Sequence, residues 1–220
     1  MGKIIVISNP KGGVGKSTLC SVLATYLSEN RREVGVIDAD IQQSLVHHRQ
    51  RDMKSHPETK NPWDIRSFVG MSSDEVSATM ERIKGTAFDI LIDCPGNIVD
   101  PNLSIIYTLA DIAVVPIHYD SDTLDATKMF CEMFKQRFSV KMFFIPNGIV
   151  LAEEQREHIK QERDRAVELL KTYGWVTPRI KRSIIIGDYS TLLPLTYYQR
   201  NAVRHAFEPI MEELQKGGVD

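Results

Sequence analysis

Short, almost entirely apolar runs alternate along the chain with longer stretches whose apolar residues recur at helical spacing. Lys3 to Ser8 (KIIVIS) has none of the polar alternation of a one-sided strand, so it reads as a strand buried on both faces. Ser17 to Asn30 then carries Leu19, Val22, Leu23, Tyr26 and Leu27 along one helical stripe. Glu33 to Asp38 (EVGVID) predicts a second strand, and Trp63 to Val69 is a further candidate. A helix near Asp74 to Lys84 leads into the apolar run Phe88 to Asp93 (FDILID). The strands Asp111 to Pro116 (DIAVVP) and Val140 to Pro146 (VKMFFIP) bracket a helix near Asp122 to Phe138. Beyond them the pattern predicts a long charged helix from Ala152 to Tyr173, with Ile159, Val167 and Leu170 on its inner stripe. An extended segment follows at Arg179 to Gly187, then helix to about Gln215. Ile- and Val-rich strands separated by helices predict an α/β fold, a mainly parallel twisted sheet with helices on both faces. No repeat, low-complexity segment or linker breaks the 220 residues, so a single domain over 1–220 is expected.

One loop changes the picture from a fold to a chemistry. Between the first strand and its helix the chain reads NPKGGVGKST, Asn9 to Thr18. The pattern G-x-x-x-x-G-K-[ST] is completed by Gly15, Lys16 and Ser17, but Pro10 stands where it asks for glycine. The strand–loop–helix context is the one that makes a phosphate-binding loop. Backbone N–H groups of Gly13 to Thr18 can face phosphate oxygens, aided by the positive end of the helix dipole. Lys16 is then expected on the β- and γ-phosphates, and the Ser17 hydroxyl on Mg²⁺.

Two further elements fall where a nucleotide site needs them. FDILID is an apolar strand ending in an acid, placing Asp93 in the Mg²⁺ shell. The spacing from Asp93 to Gly96 resembles the γ-phosphate-sensing switch of GTPases. Cys94, with no basic partner evident, reads as a small buried residue rather than a nucleophile. In VIDADIQQS, Asp38 and Asp40 alternate, so both can face the carboxyl ends of the strands, where open α/β sheets bind ligands. An acid there can orient the attacking water or share in metal binding. The plainer alternative is an acid-rich loop capping the next helix.

Composition excludes several classes. A formal net charge of −2 is not that of a protein that coats nucleic acid by bulk charge, although a local basic patch remains compatible with it. Cys20, Cys94 and Cys131 are scattered without a C-x-x-C pair, which points to neither a metal site nor a disulfide framework. Without a membrane-length apolar run or a signal-peptide pattern, a cytoplasmic protein is expected.

Taken together, these residues resemble the ParA/MinD group of P-loop ATPases. Lys11-Gly12-Gly13-Val14-Gly15-Lys16-Ser17 matches their deviant Walker A motif, K-G-G-x-G-K-[ST], without a gap. Asp38-Ala39-Asp40-Ile41-Gln42 resembles the D-x-D-P-Q switch of ParA-type partition ATPases, and ILIDCPG resembles their Walker B and second switch. Two positions depart from the pattern: Ile41 stands at the usual proline of the first switch, and Gly96 at the second proline of D-x-P-P. The resemblance implies a weak Mg²⁺-dependent ATPase that binds ATP through Gly12 to Thr18. It makes Lys11 the signature lysine that reaches the partner subunit's phosphates in an ATP-sandwich homodimer. Lys16 becomes the lysine acting in cis, Asp40 the water-orienting acid, Asp93 the metal-shell acid and Asn147 a contact to adenine.

The loop's place near the start of the chain resembles the short ParA type, which has no preceding helix-turn-helix module. Such proteins bind non-specific DNA as ATP dimers through basic residues near the C-terminus. Arg179, Lys181, Arg182, Arg200 and Arg204 are the candidates here, with nucleoid association and a ParB-like or other stimulating protein as the implied partners. Other readings are an ATP-switched factor that binds a protein scaffold, as in conjugation or polar positioning, and a metabolic P-loop ligase resembling dethiobiotin synthetase. An iron–sulfur carrier is disfavoured by the missing C-x-x-C. A membrane role of the MinD kind is disfavoured by the acidic end, FEPIMEELQKGGVD.

Overall fold

The computed structural model describes residues 1–96, 100–150 and 156–216, the side chain of His158 excepted. Among these residues, seven strands form one all-parallel sheet: β1 (Ile4–Ile7), β2 (Val34–Asp38), β3 (Asp64–Ser67), β4 (Asp89–Asp93), β5 (Ile112–Ile117), β6 (Lys141–Pro146) and β7 (Trp175–Val176). Their order is β3-β2-β4-β1-β5-β6-β7. The helices are α1 (Lys16–Glu29), α2 (Ser44–Ser55), α3 (Ser73–Ile83), α4 (Pro101–Leu109), α5 (Ser121–Arg137), α6 (Glu157–Lys171), α7 (Ile184–Gly187) and α8 (Tyr197–Lys216). The expected α/β architecture is the one observed.

Strand alternation divides the core into two layers. Ile5 and Ile7 of β1 pack with Leu23 and Leu27 of α1 and with Val203, Phe207 and Ile210 of α8. Ile4 and Val6 pack on the opposite face with Met80 of α3, Ile106 and Tyr107 of α4, and Phe130 and Phe134 of α5. Because β1 is sandwiched between β4 and β5 and covered on both faces, all four of its residues are buried. Local chemistry sets several helix starts. Ser72 and Glu75 form a reciprocal capping box on α3, and Asp100 and Asp120 cap α4 and α5.

Several boundaries differ from expectation. Arg179 to Gly187 is not a strand: only Lys181 makes a bridge, to Ile149, and Ile184–Gly187 is a short helix. The Ser183 hydroxyl accepts the Ile185 N–H at 3.1 Å, turning the chain out of the extended state. Lys216 rather than Gln215 ends the last helix, which starts only at Tyr197. The long charged helix is described from Glu157, and positions 152–155 of that expectation lie outside the described residues. Helices α2 and α4 escaped the apolar pattern. In α2 only Leu45 and Arg49 are buried, so it carries almost no hydrophobic period.

Arg49 shows what holds α2 in place. It is 3% exposed and forms no ion pair among the described residues. Its guanidinium donates to Thr191 Oγ1 at 3.0 Å, the Thr191 carbonyl at 2.9 Å and the Trp63 carbonyl at 3.0 Å, and lies 4.1 Å from the Trp63 ring centroid. Arg49→Met keeps most of the bulk but leaves those acceptors unpaired in the interior. A loss of about 2–4 kcal/mol in urea unfolding is expected, and a change below about 0.5 kcal/mol would contradict this account.

Candidate phosphate-binding site

The register of three strands assembles the site. Asp38 at the end of β2 pairs with Asp93 at the end of β4, and Asp93 pairs with Ile7 of β1. Two carboxylates therefore stand at the level where β1 gives way to the glycine loop. Asn9 opens that loop from a fully buried position. Its amide donates to the Pro116 carbonyl at 2.8 Å and to Thr127 Oγ1 at 3.0 Å, while its own oxygen accepts the Lys11 N–H at 2.9 Å. Gly15 takes φ +91°, and a Cβ there would lie 2.4 Å from Asn147 Nδ2, so glycine alone fits. Asn147, just past β6, donates that same amide to the Val14 carbonyl at 2.9 Å, tying the loop to the end of β6.

A cavity of about 690 Å³ opens over this loop, lined by Gly12, Gly13, Gly15, Lys16, Ser17 and Thr18 on one side. Asp40, Ile41, Pro95 and Gly96 line the other side. A second cavity, of about 670 Å³, shares Gly13 and continues past Asn147, His118 and Asp120 to Ile159, Glu162 and Arg182. One chamber thus has the loop amides and the other a mixed apolar and polar wall, in the arrangement that a phosphate chain and a nucleoside require.

The two loop lysines behave differently. Lys16 is buried, with Nζ 3.1 Å from the Lys11 carbonyl, and burial lowers its pKa against the opposing pull of Asp93 and Asp40. Lys11 is partly exposed, does not line the phosphate cavity, and rests its Nζ 3.4 Å from Asp122 at the start of α5.

The carboxylates also differ. Asp38 is fully buried and caps α2: its oxygens accept the N–H groups of Leu45 at 3.0 Å, Val46 at 3.2 Å and Asp40 at 3.2 Å. Burial still raises its pKa despite these bonds. Asp40 lines the cavity. Its Oδ1 accepts the Gln42 N–H at 2.9 Å, and its second oxygen has no protein partner among the described residues. Asp93 is 1% exposed, and neither of its oxygens has a hydrogen-bond partner among the described residues. Burial pushes its pKa up to about 7, although the nearby Ser17 hydroxyl offsets part of that rise without reaching hydrogen-bond geometry. An unpartnered buried carboxylate beside a serine hydroxyl is a donor set that fits a hard divalent cation.

Other expected residues are more dispersed. Arg182 lines the second cavity. Arg200 pairs with Glu29 at 2.9 Å and Arg204 with Glu208 at 2.7 Å, while Lys181 is exposed beside the Ile149 bridge. Cys94 and Cys20 are buried, with thiols held well above their ordinary pKa by burial, and no metal-ligating cluster occurs among the described residues. Asn9, His118, Asp120 and Asp122 belong to the site but to no motif. Only their nearness to strand ends in the sequence could have drawn attention to them.

Fold and site together define a P-loop nucleotide-binding protein. Residues 5–183 match the CobQ/CobB/MinD/ParA nucleotide binding domain, and the chain belongs to that family. Among solved structures, a putative plasmid partition protein from Borrelia burgdorferi bound to AMPPNP has a TM-score of 0.74 at 19% identity, covering 97% of this chain and 100% of that one. Apo McdA from Cyanothece has a TM-score of 0.75 at 18% identity, with coverage of 97% and 100%. MinD in the MinC:MinD cell division complex of Aquifex aeolicus has a TM-score of 0.73 at 19% identity, with coverage of 96% of both chains. At these identities the likeness is one of fold. An iron–sulfur cluster carrier protein from Rickettsia bellii is 46% identical over 46 residues, a stretch that spans 21% of this chain and only 14% of that relative. Among the described residues, no helix is long and apolar enough to cross a membrane.

The Asp93 carboxyl generates a pH prediction. The folded protein holds this proton to about pH 7, whereas an unfolded chain releases it near 3.8. Asp93 therefore contributes fully below pH 3.8, and its contribution is lost as pH rises through about 7, by up to about 4 kcal/mol. Asp93→Asn should remove this loss. Its melting temperature in nucleotide-free buffer should exceed the native value at pH 8 and approach it near pH 4, and parallel melting curves across that range would refute the buried-carboxylate account.

Proposed function

We propose that the protein is an ATP-dependent dimerisation switch with weak Mg²⁺-dependent ATPase activity, which holds non-specific DNA when dimeric and positions DNA or another cargo. The observation that carries this reading is the division between the lysines. Lys16 is buried beside its own phosphate chamber, whereas Lys11 leans outward onto an exposed acid, free to serve a neighbouring subunit's nucleotide. ParA/MinD membership supports nucleoside triphosphatase chemistry, and the AMPPNP-bound Borrelia partition protein shares the fold.

In this reading Gly12, Gly13, Val14, Gly15, Ser17 and Thr18 bind the phosphates through backbone N–H groups. Lys16 neutralises the β- and γ-phosphates, and Asn147 fixes the loop and borders the adenine end. Ser17 and Asp93 hold Mg²⁺, which when bound supplies positive charge to the β- and γ-oxygens. Asp38, with both oxygens on backbone amides, serves the metal only by positioning the switch. Asp40 uses its unpartnered oxygen to orient water for attack. Closure of a second subunit brings Lys11 off Asp122 and onto the partner's phosphates.

Lys181 and Arg182 would meet DNA phosphates directly. Arg204 would exchange its exposed pair with Glu208, worth no more than about 1 kcal/mol, for phosphate, and Arg200 would have to leave the largely buried carboxylate of Glu29. Those existing pairs also favour a second reading, in which the same switch holds a protein scaffold. A ParB-like or other partner would stimulate hydrolysis in either case, in the cytoplasm and on the nucleoid if DNA is the cargo.

Lys11→Ala should retain ATP binding and lose ATP-dependent dimers in light scattering; dimers that persist would sink the cross-subunit role. With Asp40→Ala, ATP turnover should fall at least tenfold while ATP-dependent retention on DNA lengthens. Unchanged turnover would refute the catalytic role of Asp40, and DNA retention indifferent to nucleotide would refute the DNA switch.

A further inference from the structure

A further opening lies on the far side of β2 and shares no lining residue with the two cavities described above. Its cause is a missing side chain. On β2, Val34 and Val36 pack toward α1, while Ile37 packs toward α3, so Gly35 faces α3. Register sets Gly35 between Asp64 of the edge strand β3 and Ile90 of β4. Ile90 leans into the gap, its Cδ1 2.9 Å from where a Cβ at position 35 would stand, yet a trough of about 250 Å³ remains. Ile83 at the end of α3 and Phe88, 47% exposed, add apolar wall.

The rim has the opposite character. Arg66 of β3 and Arg82 of α3 are both exposed and both line the trough. Arg82 donates to Thr79 Oγ1 at 3.3 Å, and neither arginine forms an ion pair among the described residues. Asp64 is the one acid in the lining, which leaves a net positive rim over an apolar floor.

We infer that this trough binds a small amphipathic carboxylate, its aliphatic chain on the Gly35 floor and its carboxylate between Arg66 and Arg82. The two surfaces make separate demands. Hydrocarbon is what releases water from the floor, and a planar carboxylate is the group that accepts bidentate hydrogen bonds from guanidinium groups with no ion-pair partner among the described residues. A polyphosphate would leave the floor unfilled, and a neutral hydrocarbon would leave the arginines without a partner. The volume is below the roughly 300–1,000 Å³ of drug-sized sites, so a chain of medium length fits and a nucleotide does not.

Sodium octanoate, titrated below its micellar range into the full chain by calorimetry, tests the inference. One saturable site is expected, with 1-octanol and sodium acetate each binding at least tenfold more weakly. Arg66→Gln with Arg82→Gln should reduce octanoate affinity at least tenfold and leave the weak response to 1-octanol unchanged. Both replaced side chains are exposed, and a melting curve matching the native one checks that the variant is folded. Octanoate binding no tighter than 1-octanol, or equal octanoate affinity in the double variant, would overturn the site.

Discussion

The parallel register of β2, β4 and β1 aligns Asp38 with Asp93 and Asp93 with Ile7, and the nucleotide face is built on that row. A shift of one residue would turn every side chain on the shifted strand to the opposite face. The apolar residues below the row make such a shift prohibitive, because Leu91, Ile92 and Val36 are buried in opposite layers. Hydrophobic packing therefore places two carboxylates against the phosphate loop, where their own desolvation is unfavourable. Asp38 is compensated by three backbone amides, whereas Asp93 has no hydrogen-bond partner among the described residues and only Ser17 and Lys16 nearby to offset its burial.

The loop above this row is held from both sides. Asn9 binds it to β5 and α5, and Asn147 binds it to β6, so its backbone amides are preorganised before any phosphate arrives. Gly96 completes the enclosure from the β4 side, where a Cβ would sit 3.1 Å from the Pro10 carbonyl and 3.5 Å from Lys16 Nζ. A proline at that position would crowd both groups, which gives the departure from the D-x-P-P pattern a steric reason.

Asp38 also links the site to the rest of the molecule. By capping α2 it connects the Asp40 loop to Arg49 and Asp52 on that helix. Arg49 and Asp52 both engage Thr191, in the segment leading to α8. On the same segment the Tyr189 ring packs against His48, with centroids 4.4 Å apart and planes tilted by 54°. The Asp40 loop is thus joined, through packed and hydrogen-bonded side chains, to the segment that leads into α8.

The amino-acid order by itself determined the parts whose signal is local. Uninterrupted apolar runs marked β1, β2, β4, β5 and β6, and the run from Lys11 to Ser17 marked the loop, because burial on both faces and backbone approach to phosphate each constrain consecutive residues. Helix α2 was hidden, since its stability rests on a buried arginine and an aspartate cap rather than on an apolar stripe. The turn at Ser183 was hidden for a related reason: one side-chain hydrogen bond overrides an extended pattern. Tertiary structure decided between the two readings of Asp38, in favour of the helix cap, and it alone decided that Asp93 is left without a hydrogen-bond partner among the described residues, that Asn9 and Asn147 clamp the loop, and that Arg182 lines the second cavity. Those outcomes depend on which strand ends meet in space, and the pairing of segments far apart in the chain is set by global packing rather than by any short stretch of residues.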